Sequence, residues 1–255
     1  MRLNQYLAAC GLGSRRRCED WITAGRVQVN GTPGQLGTRV GAADRVTVDG
    51  QAVHPEPVPG VWIVHKPAGV LCTARDELGR PTIFDLARAA GLTMRLFSVG
   101  RLDMDTTGLL LLTNDGALAH RLTHPSQGVE KEYEAVVECC LPEPVIEALR
   151  EGVELEDGPT SPCAVTQETG AGGTAVVRLV LHEGRKRQVR RMLAAVGAPV
   201  RTLHRVRIGT LRLGDLERGA LRAATPDEIE ALQAASGPAA EGTVSRRPSA
   251  RSENE

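Results

Sequence analysis

Several things are missing from this chain, and each absence excludes something. There is no run of about 18 apolar residues, which rules out a transmembrane helix. The opening Met1-Arg-Leu-Asn-Gln carries no signal-peptide hydrophobic stretch, so the cytoplasm is the expected compartment. No C-x-x-C pair occurs among Cys10, Cys18, Cys72, Cys139, Cys140 and Cys163. The vicinal Cys139-Cys140 cannot form an ordinary structural disulfide, so reduced thiols are expected. Net charge is also absent: 31 basic residues cancel 31 acidic ones. Any strong field must therefore come from local clustering. Lysine is scarce, at Lys66, Lys131 and Lys186 only, and the remaining basic residues are arginine. Genome composition alone can produce that bias, so the positions of the arginines have to decide what they do.

The 255 residues are enough for one large domain or two unequal ones. Pro55-Glu-Pro-Val-Pro-Gly60 reads as a linker, and from Ser236 onward almost nothing could build a core. These breaks divide the chain into a small module over 1–54, a linker over 55–60, a domain over 61–235 and a disordered tail over 236–255. In the module, Leu3, Tyr6, Leu7 and Cys10 recur at helical spacing up to Gly11. Ser14 can cap a second helix in which Cys18, Trp21 and Ile22 share a face, ending at Gly25. Arg26-Val-Gln-Val-Asn-Gly31 then alternates and closes in Asn-Gly, a hairpin signal. Arg15, Arg16 and Arg17 occupy the first turn of the second helix, where the macrodipole disfavours cations. Either they are solvated at a frayed end, or a phosphate sits there and satisfies both the free amides and the arginines.

In the larger domain, Leu109 to Leu112 are four consecutive leucines between Gly108 and a polar turn, as in a strand buried on both faces. Asp103 and Asp105 lie just before it, on a loop. Two accounts fit: carboxylates presented for catalysis from the end of a rigid strand, or a turn held by Asx hydrogen bonds. Asp103-Met-Asp-Thr-Thr107 also fits the D-x-D-x-T motif of aspartyl phosphatases. There the motif ends an apolar strand, whereas here Ser98-Val-Gly-Arg-Leu102 precedes it, and no downstream acidic pair completes a magnesium site. Val129-Glu-Lys-Glu-Tyr-Glu-Ala-Val-Val137 alternates, placing Val129, Lys131, Tyr133, Ala135 and Val137 on one face of a strand. Tyr133 is either a core tyrosine or a platform for a flipped base. Arg185 to Val196 reads as a helix with Val189, Met192, Leu193 and Val196 buried and with Lys186, Arg187, Arg190 and Arg191 crowded on another side. Residues 182–207 hold eight basic residues against one acidic, which implies a phosphate backbone as partner. His120 and His124 stand i,i+4 without a third ligand and read as structural or RNA-facing.

Two resemblances follow from these segments. Ser14 to Gly31 looks like the αL RNA-binding domain shared by a small-subunit ribosomal protein and several RNA-modifying enzymes. That likeness implies binding of structured RNA through Arg15, Arg16 and Arg26. The larger domain resembles the pseudouridine synthases of the RsuA/RluB type. Four segments carry the likeness: His65-Lys-Pro-Ala-Gly-Val-Leu71 with Gly79-Arg-Pro-Thr-Ile-Phe-Asp85; Gly100-Arg-Leu-Asp103 with Thr107-Gly-Leu-Leu-Leu111; Lys131-Glu-Tyr133; and Glu183 to Met192. Small departures are His65, Thr107 and Lys186.

The resemblance implies an α+β fold, a mixed and mostly antiparallel sheet flanked by helices, joined to the small αL domain. It implies isomerisation of uridine to pseudouridine in ribosomal RNA, with no cofactor and no metal. Asp103 would be the catalytic carboxylate, acting by covalent attack or as a base that generates a glycal. Tyr133 would stack on the target uracil, Arg190 would pair with Asp103 and keep it ionised, and Asp105 would support the loop. Arg101 would fill the gap left by the extruded base, and Lys66, Arg80, Lys131, Arg185, Arg187, Gln188 and Arg191 would contact RNA. The third motif and the stretch from Leu211 to Pro226 look nearer the enzymes of the large subunit. The expected partner is ribosomal RNA, free or in an assembling particle, bound by a monomer with no membrane contact. A non-catalytic ribosome-binding factor would account for the arginines, but not for Asp103, Tyr133 and Arg190 together.

Overall fold

Ser14 starts a helix by accepting a hydrogen bond from the Arg17 amide at 3.1 Å. Sixteen residues later, Asn30 and Gly31 both adopt positive φ, the backbone a tight hairpin of this hand requires. These local choices build the N-terminal unit of the computed structural model, which describes residues 1–55 and 60–235. Helices α1 (Leu3–Ala9) and α2 (Arg15–Thr23) pack on a small sheet of β1 (Val27–Val29), β2 (Thr32–Pro33), β3 (Val46–Val48) and β4 (Gln51–Ala52). Leu3, Leu7, Cys18, Ile22, Val27 and Val46 form its core. Most of the expected linker and all of the expected tail lie outside the described residues.

The second unit is built on one nine-stranded sheet. In chain order it contains β5 (Val61–Lys66), α3 (Ile83–Ala89), β6 (Phe97–Val99), β7 (Thr106–Thr113), α4 (Gly116–Thr123), β8 (Lys131–Val137) and α5 (Glu143–Glu151). A two-stranded hairpin of β9 (Glu154–Leu155) and β10 (Gly158–Pro159) follows. After it come β11 (Ala164–Thr169), β12 (Ala175–Leu181), α6 (Gln188–Ala195), β13 (Thr202–Ile208), β14 (Leu211–Arg212), β15 (Leu221–Ala223) and α7 (Pro226–Ala234). The sheet order is β11-β12-β8-β13-β7-β5-β15, with β6 added to β7 and β14 to β13. Only β13 and β7 run parallel, so the sheet is mixed and mostly antiparallel, and the fold is α+β.

Strand β7 is buried on both faces. Leu109 and Leu111 pack with Leu118 and Leu122 of α4 and Leu232 of α7, while Leu110 and Leu112 pack with Ile83 and Ala87 of α3. A third core joins Ala135, Val137, Val177 and Leu179 of the sheet to Ile146 of α5 and Met192 of α6. Burial pushes the Cys10 thiol up to about 12 and the Cys163 thiol up to about 11, so neither is a thiolate at neutral pH.

The basic helix starts later than its sequence suggests. Helix α6 begins at Gln188, and Arg187 before it is left-handed with φ 51°. The Gln188 side chain accepts from the Arg185 amide at 3.0 Å and donates to Glu183 at 2.5 Å, closing a turn that holds Arg185, Lys186 and Arg187 out of the helix. Gln188 is thereby buried in a helix-start turn that borders the active-site cleft, with its amide oxygen and nitrogen both bonded inside the protein.

Candidate active site

Asp103 and Asp105 lie on the loop entering β7, and a buried cation holds that loop from below. Lys66, at the end of β5, is fully buried and donates to the carbonyls of Pro67 (3.0 Å), Met104 (3.3 Å) and Thr106 (2.8 Å). Burial pushes its pKa down, and Cys72, Asp105 and Asp103 push it back up. The RNA contact expected of Lys66 is corrected, since all three of its protons serve the protein backbone. The Gly69 amide adds a bond to the Met104 carbonyl at 2.8 Å.

Arg187 reaches both carboxylates, at 3.2 Å from Asp105 and 3.9 Å from Asp103. Arg190 does not pair with Asp103; it sits 3.2 Å from the Asp105 carboxylate and donates to the Asp105 carbonyl at 3.2 Å. The displaced helix start explains why Arg187 stands nearest Asp103, because it projects from a left-handed residue ahead of α6. Burial alone would raise the Asp105 pKa, but the hydrogen bond from Arg187 and the charges of Arg190 and Arg187 hold it below the usual carboxylate range.

Opposite the loop stands Tyr133, half-buried on β8. Its hydroxyl accepts from Arg205 at 3.3 Å, and the Arg205 guanidinium lies 5.8 Å from the ring centroid. Arg205 is a site residue that the sequence reading passed over as one more basic side chain. It is only 2% exposed, donates to the Leu109 carbonyl at 2.8 Å, and leaves Nη2 without a hydrogen-bond partner among the described residues. The available signal was strand phase: Arg205 lies two residues from Leu203 and so shares its buried face. Gly108 makes room for it. At φ 110° its absent Cβ would stand 2.2 Å from the Arg205 carbonyl oxygen, so β13 lies against β7 only because residue 108 has no side chain.

These groups line one cleft of about 560 Å³: Asp103, Lys131, Tyr133, Arg187 and Arg205, with Arg101 at its mouth. Lys131 donates to the Val129 carbonyl at 2.8 Å, and burial together with Arg205 pushes its pKa down. Arg185 also borders the cleft, but its guanidinium is spent on the Gly158 and Pro159 carbonyls at 2.8 and 2.6 Å. Arg190 and Arg191 are not among the lining residues, and Arg191 forms a two-pronged pair with Asp157 at 2.9 and 3.0 Å. Arg80 is likewise held by Asp76, at 2.8 Å. The arrangement offers a carboxylate, a half-buried aromatic face and several cations around a hollow large enough for a nucleotide.

The profile of the family described as RNA pseudouridylate synthase matches residues 60–195, and that of the S4 domain matches residues 1–46. The chain belongs to the RNA pseudouridylate synthase family. A Mycobacterium leprae protein named an uncharacterized RNA pseudouridine synthase is 46% identical over 235 residues, 91% of this synthase and 92% of the relative. The Bacillus subtilis ribosomal large subunit pseudouridine synthase B is 39% identical over 236 residues, covering 91% and 96% of the two chains. A solved structure titled as a pseudouridylate synthase superposes with TM-score 0.64 at 34% identity, over 91% of this synthase and 99% of that chain.

In the S4 domain of the synthase, Arg15 and Arg16 are exposed on the first turn of α2 and make no ion pair among the described residues. Arg26 is paired with Asp49 and lies 4.8 Å from the Trp21 ring centroid, which Arg17 approaches from 5.5 Å. Among the described residues no helix is long and apolar enough to cross a membrane. His120 and His124 stack side by side, ring centroids 5.3 Å apart, with His124 bonded to Ser126.

Proposed function

We propose that this synthase converts a uridine of large-subunit ribosomal RNA to pseudouridine, using Asp103 on a uracil flipped out of the RNA and stacked on Tyr133. The observation that carries the proposal is the meeting of Asp103, Tyr133 and the buried Arg205 in one basic-lined cleft, from three separate strands or strand ends. Uridine and pseudouridine are isomers: the N1–C1′ bond breaks, the uracil turns, and C5 bonds to the same C1′ while its proton leaves and N1 gains one. No electron is gained or lost, so the chemistry calls for no redox cofactor. Asp103 serves either by attacking C1′ through its carboxylate oxygen or by taking the C2′ proton to give a glycal and returning it later.

Arg187 lies 3.9 Å from the Asp103 carboxylate, a charge contact that strengthens once RNA excludes water from the cleft. Arg190 acts at one remove, as a positioning residue that anchors the loop through Asp105. Arg101 occupies the gap left by the extruded base. Arg15, Arg16 and Arg26 of the S4 domain, with Arg80, Lys131, Arg185, Arg187 and Arg191, form the cationic surface along the RNA. The working unit is a monomer in the cytoplasm, acting on ribosomal RNA free or in an assembling particle.

The test is Asp103→Asn, assayed by pseudouridine mapping on a large-subunit rRNA transcript alongside a binding titration. Product formation should vanish while RNA affinity stays within about threefold, since the carboxylate meets the target nucleoside rather than a phosphate. A variant with wild-type turnover would remove Asp103 from the mechanism.

A further inference from the structure

A second hollow of about 620 Å³ adjoins the first and shares Cys72, Gly100, Arg101 and Thr123 with it. Its walls are mainly apolar, from α3, β6 and the segment between them, and include Phe84 and Phe97, the only two phenylalanines of the chain. The Arg95 guanidinium lies 5.0 Å from the Phe97 ring centroid. Arg95 is half-buried, has no acidic partner among the described residues, and leaves its buried Nη1 without any hydrogen-bond acceptor. Burial lowers its pKa, Cys18 of the S4 domain pushes it back up, and the nearby charge of Arg15 on α2 lowers it again.

A cation without a counter-ion, facing an apolar hollow and repelled by a neighbouring arginine, is costly unless an anion completes it. The hollow also lies between two places where RNA is expected, with Arg15 on one side and Arg101 at the catalytic cleft on the other. An RNA strand that turns one base into the first cleft brings its adjoining nucleotide past the shared Arg101 wall. Aromatic rings beside a guanidinium suit the flat face of a base and its phosphate, whatever the base.

We propose that this second hollow receives another unpaired nucleobase of the same RNA, the neighbour of the target uridine, stacked against Phe97 and Phe84 with its phosphate on Arg95. The inference rests on the proposed entry of the target uridine at Asp103. Recognition of the site would then read two extruded nucleotides, with the hollow favouring RNAs whose target has an unpaired or weakly paired neighbour.

Ultraviolet crosslinking of the full chain to a large-subunit rRNA transcript, followed by mass spectrometry, tests this. Nucleotide adducts are expected within residues 94–101 as well as at Tyr133. Phe97→Leu keeps apolar volume but removes the ring face, and should raise KM for the transcript about five- to hundredfold. Arg95→Gln should weaken binding and reduce the salt slope by about one. Adducts at Tyr133 alone, with KM and salt slope of both variants unchanged, would overturn the second hollow while sparing the catalytic assignment. Adducts at Phe97 with none at Tyr133, together with an active Asp103→Asn, would instead remove the catalytic assignment.

Discussion

Gly108 and Arg205 face each other across the parallel pairing of β7 and β13, so close that a Cβ on Gly108 would stand 2.2 Å from the Arg205 carbonyl oxygen and 2.5 Å from its amide nitrogen. The backbone that carries the buried guanidinium is therefore pressed against the strand whose entry loop carries the carboxylates. Gly108→Ala must move β13 and also hold a positive φ, at a cost of about 2–4 kcal/mol. Urea denaturation should show that loss, and turnover should fall further than the unfolded fraction accounts for, because Tyr133 loses its partner. Stability within about 0.5 kcal/mol of wild type would show that the two strands have more room than their contact suggests.

Lys66→Met replaces a buried ammonium by a chain of similar length, takes this donor from the Pro67 and Thr106 carbonyls, and leaves Met104 with the Gly69 amide alone. The expected loss is about 2–3 kcal/mol, offset in part by relief of the buried charge. The loop bearing Asp103 loosens, so kcat should drop while affinity for RNA changes little. A large rise in Kd with kcat intact would place Lys66 in RNA contact after all.

Asp105 titrates below its usual range because Arg187 and Arg190 flank it. A depressed carboxylate adds stability above its unfolded pKa of about 4, and that stability is lost as pH falls through the lower folded value. Asp105→Asn should therefore lower the urea midpoint at pH 7, and the gap should narrow below about pH 4. The pair is partly exposed, so the effect should stay under about 1 kcal/mol. A gap that widened on acidification would contradict the ion pairs.

Arg15→Ala combined with Arg16→Ala removes two exposed cations from the first turn of α2. Affinity for rRNA should fall, and the slope of log K against log salt should flatten by about one to two. An unchanged salt titration would place the RNA elsewhere on the S4 domain.

Where local rules act alone, the sequence was legible. The four leucines of β7, the Asn30-Gly31 turn and the Ser14 cap all lie where spacing placed them, and Asp103 with Tyr133 entered one cleft. The misplacements concern charged side chains whose roles depend on partners far along the chain. Lys66 was expected to contact RNA, yet three carbonyls, two of them about 40 residues away, consume its protons. Arg187, expected to contact RNA, reaches both carboxylates while Arg190 reaches only Asp105, because a buried glutamine delayed the helix, which apolar spacing could not reveal. Arg205 was hidden among arginines that are exposed or only partly buried, and only its phase with Leu203 marked it.

Strand β13 lies between β7 and β8, although more than 60 residues separate it from β8 in the chain. The earlier strands must leave a slot open until residues 202–208 arrive, and Arg205 joins Tyr133 and the Leu109 carbonyl only when that slot closes. During synthesis, then, a polypeptide that has already displayed its S4 domain and its aspartate loop has no finished catalytic centre. A chain made only as far as residue 201 has neither β13 nor the guanidinium that partners Tyr133.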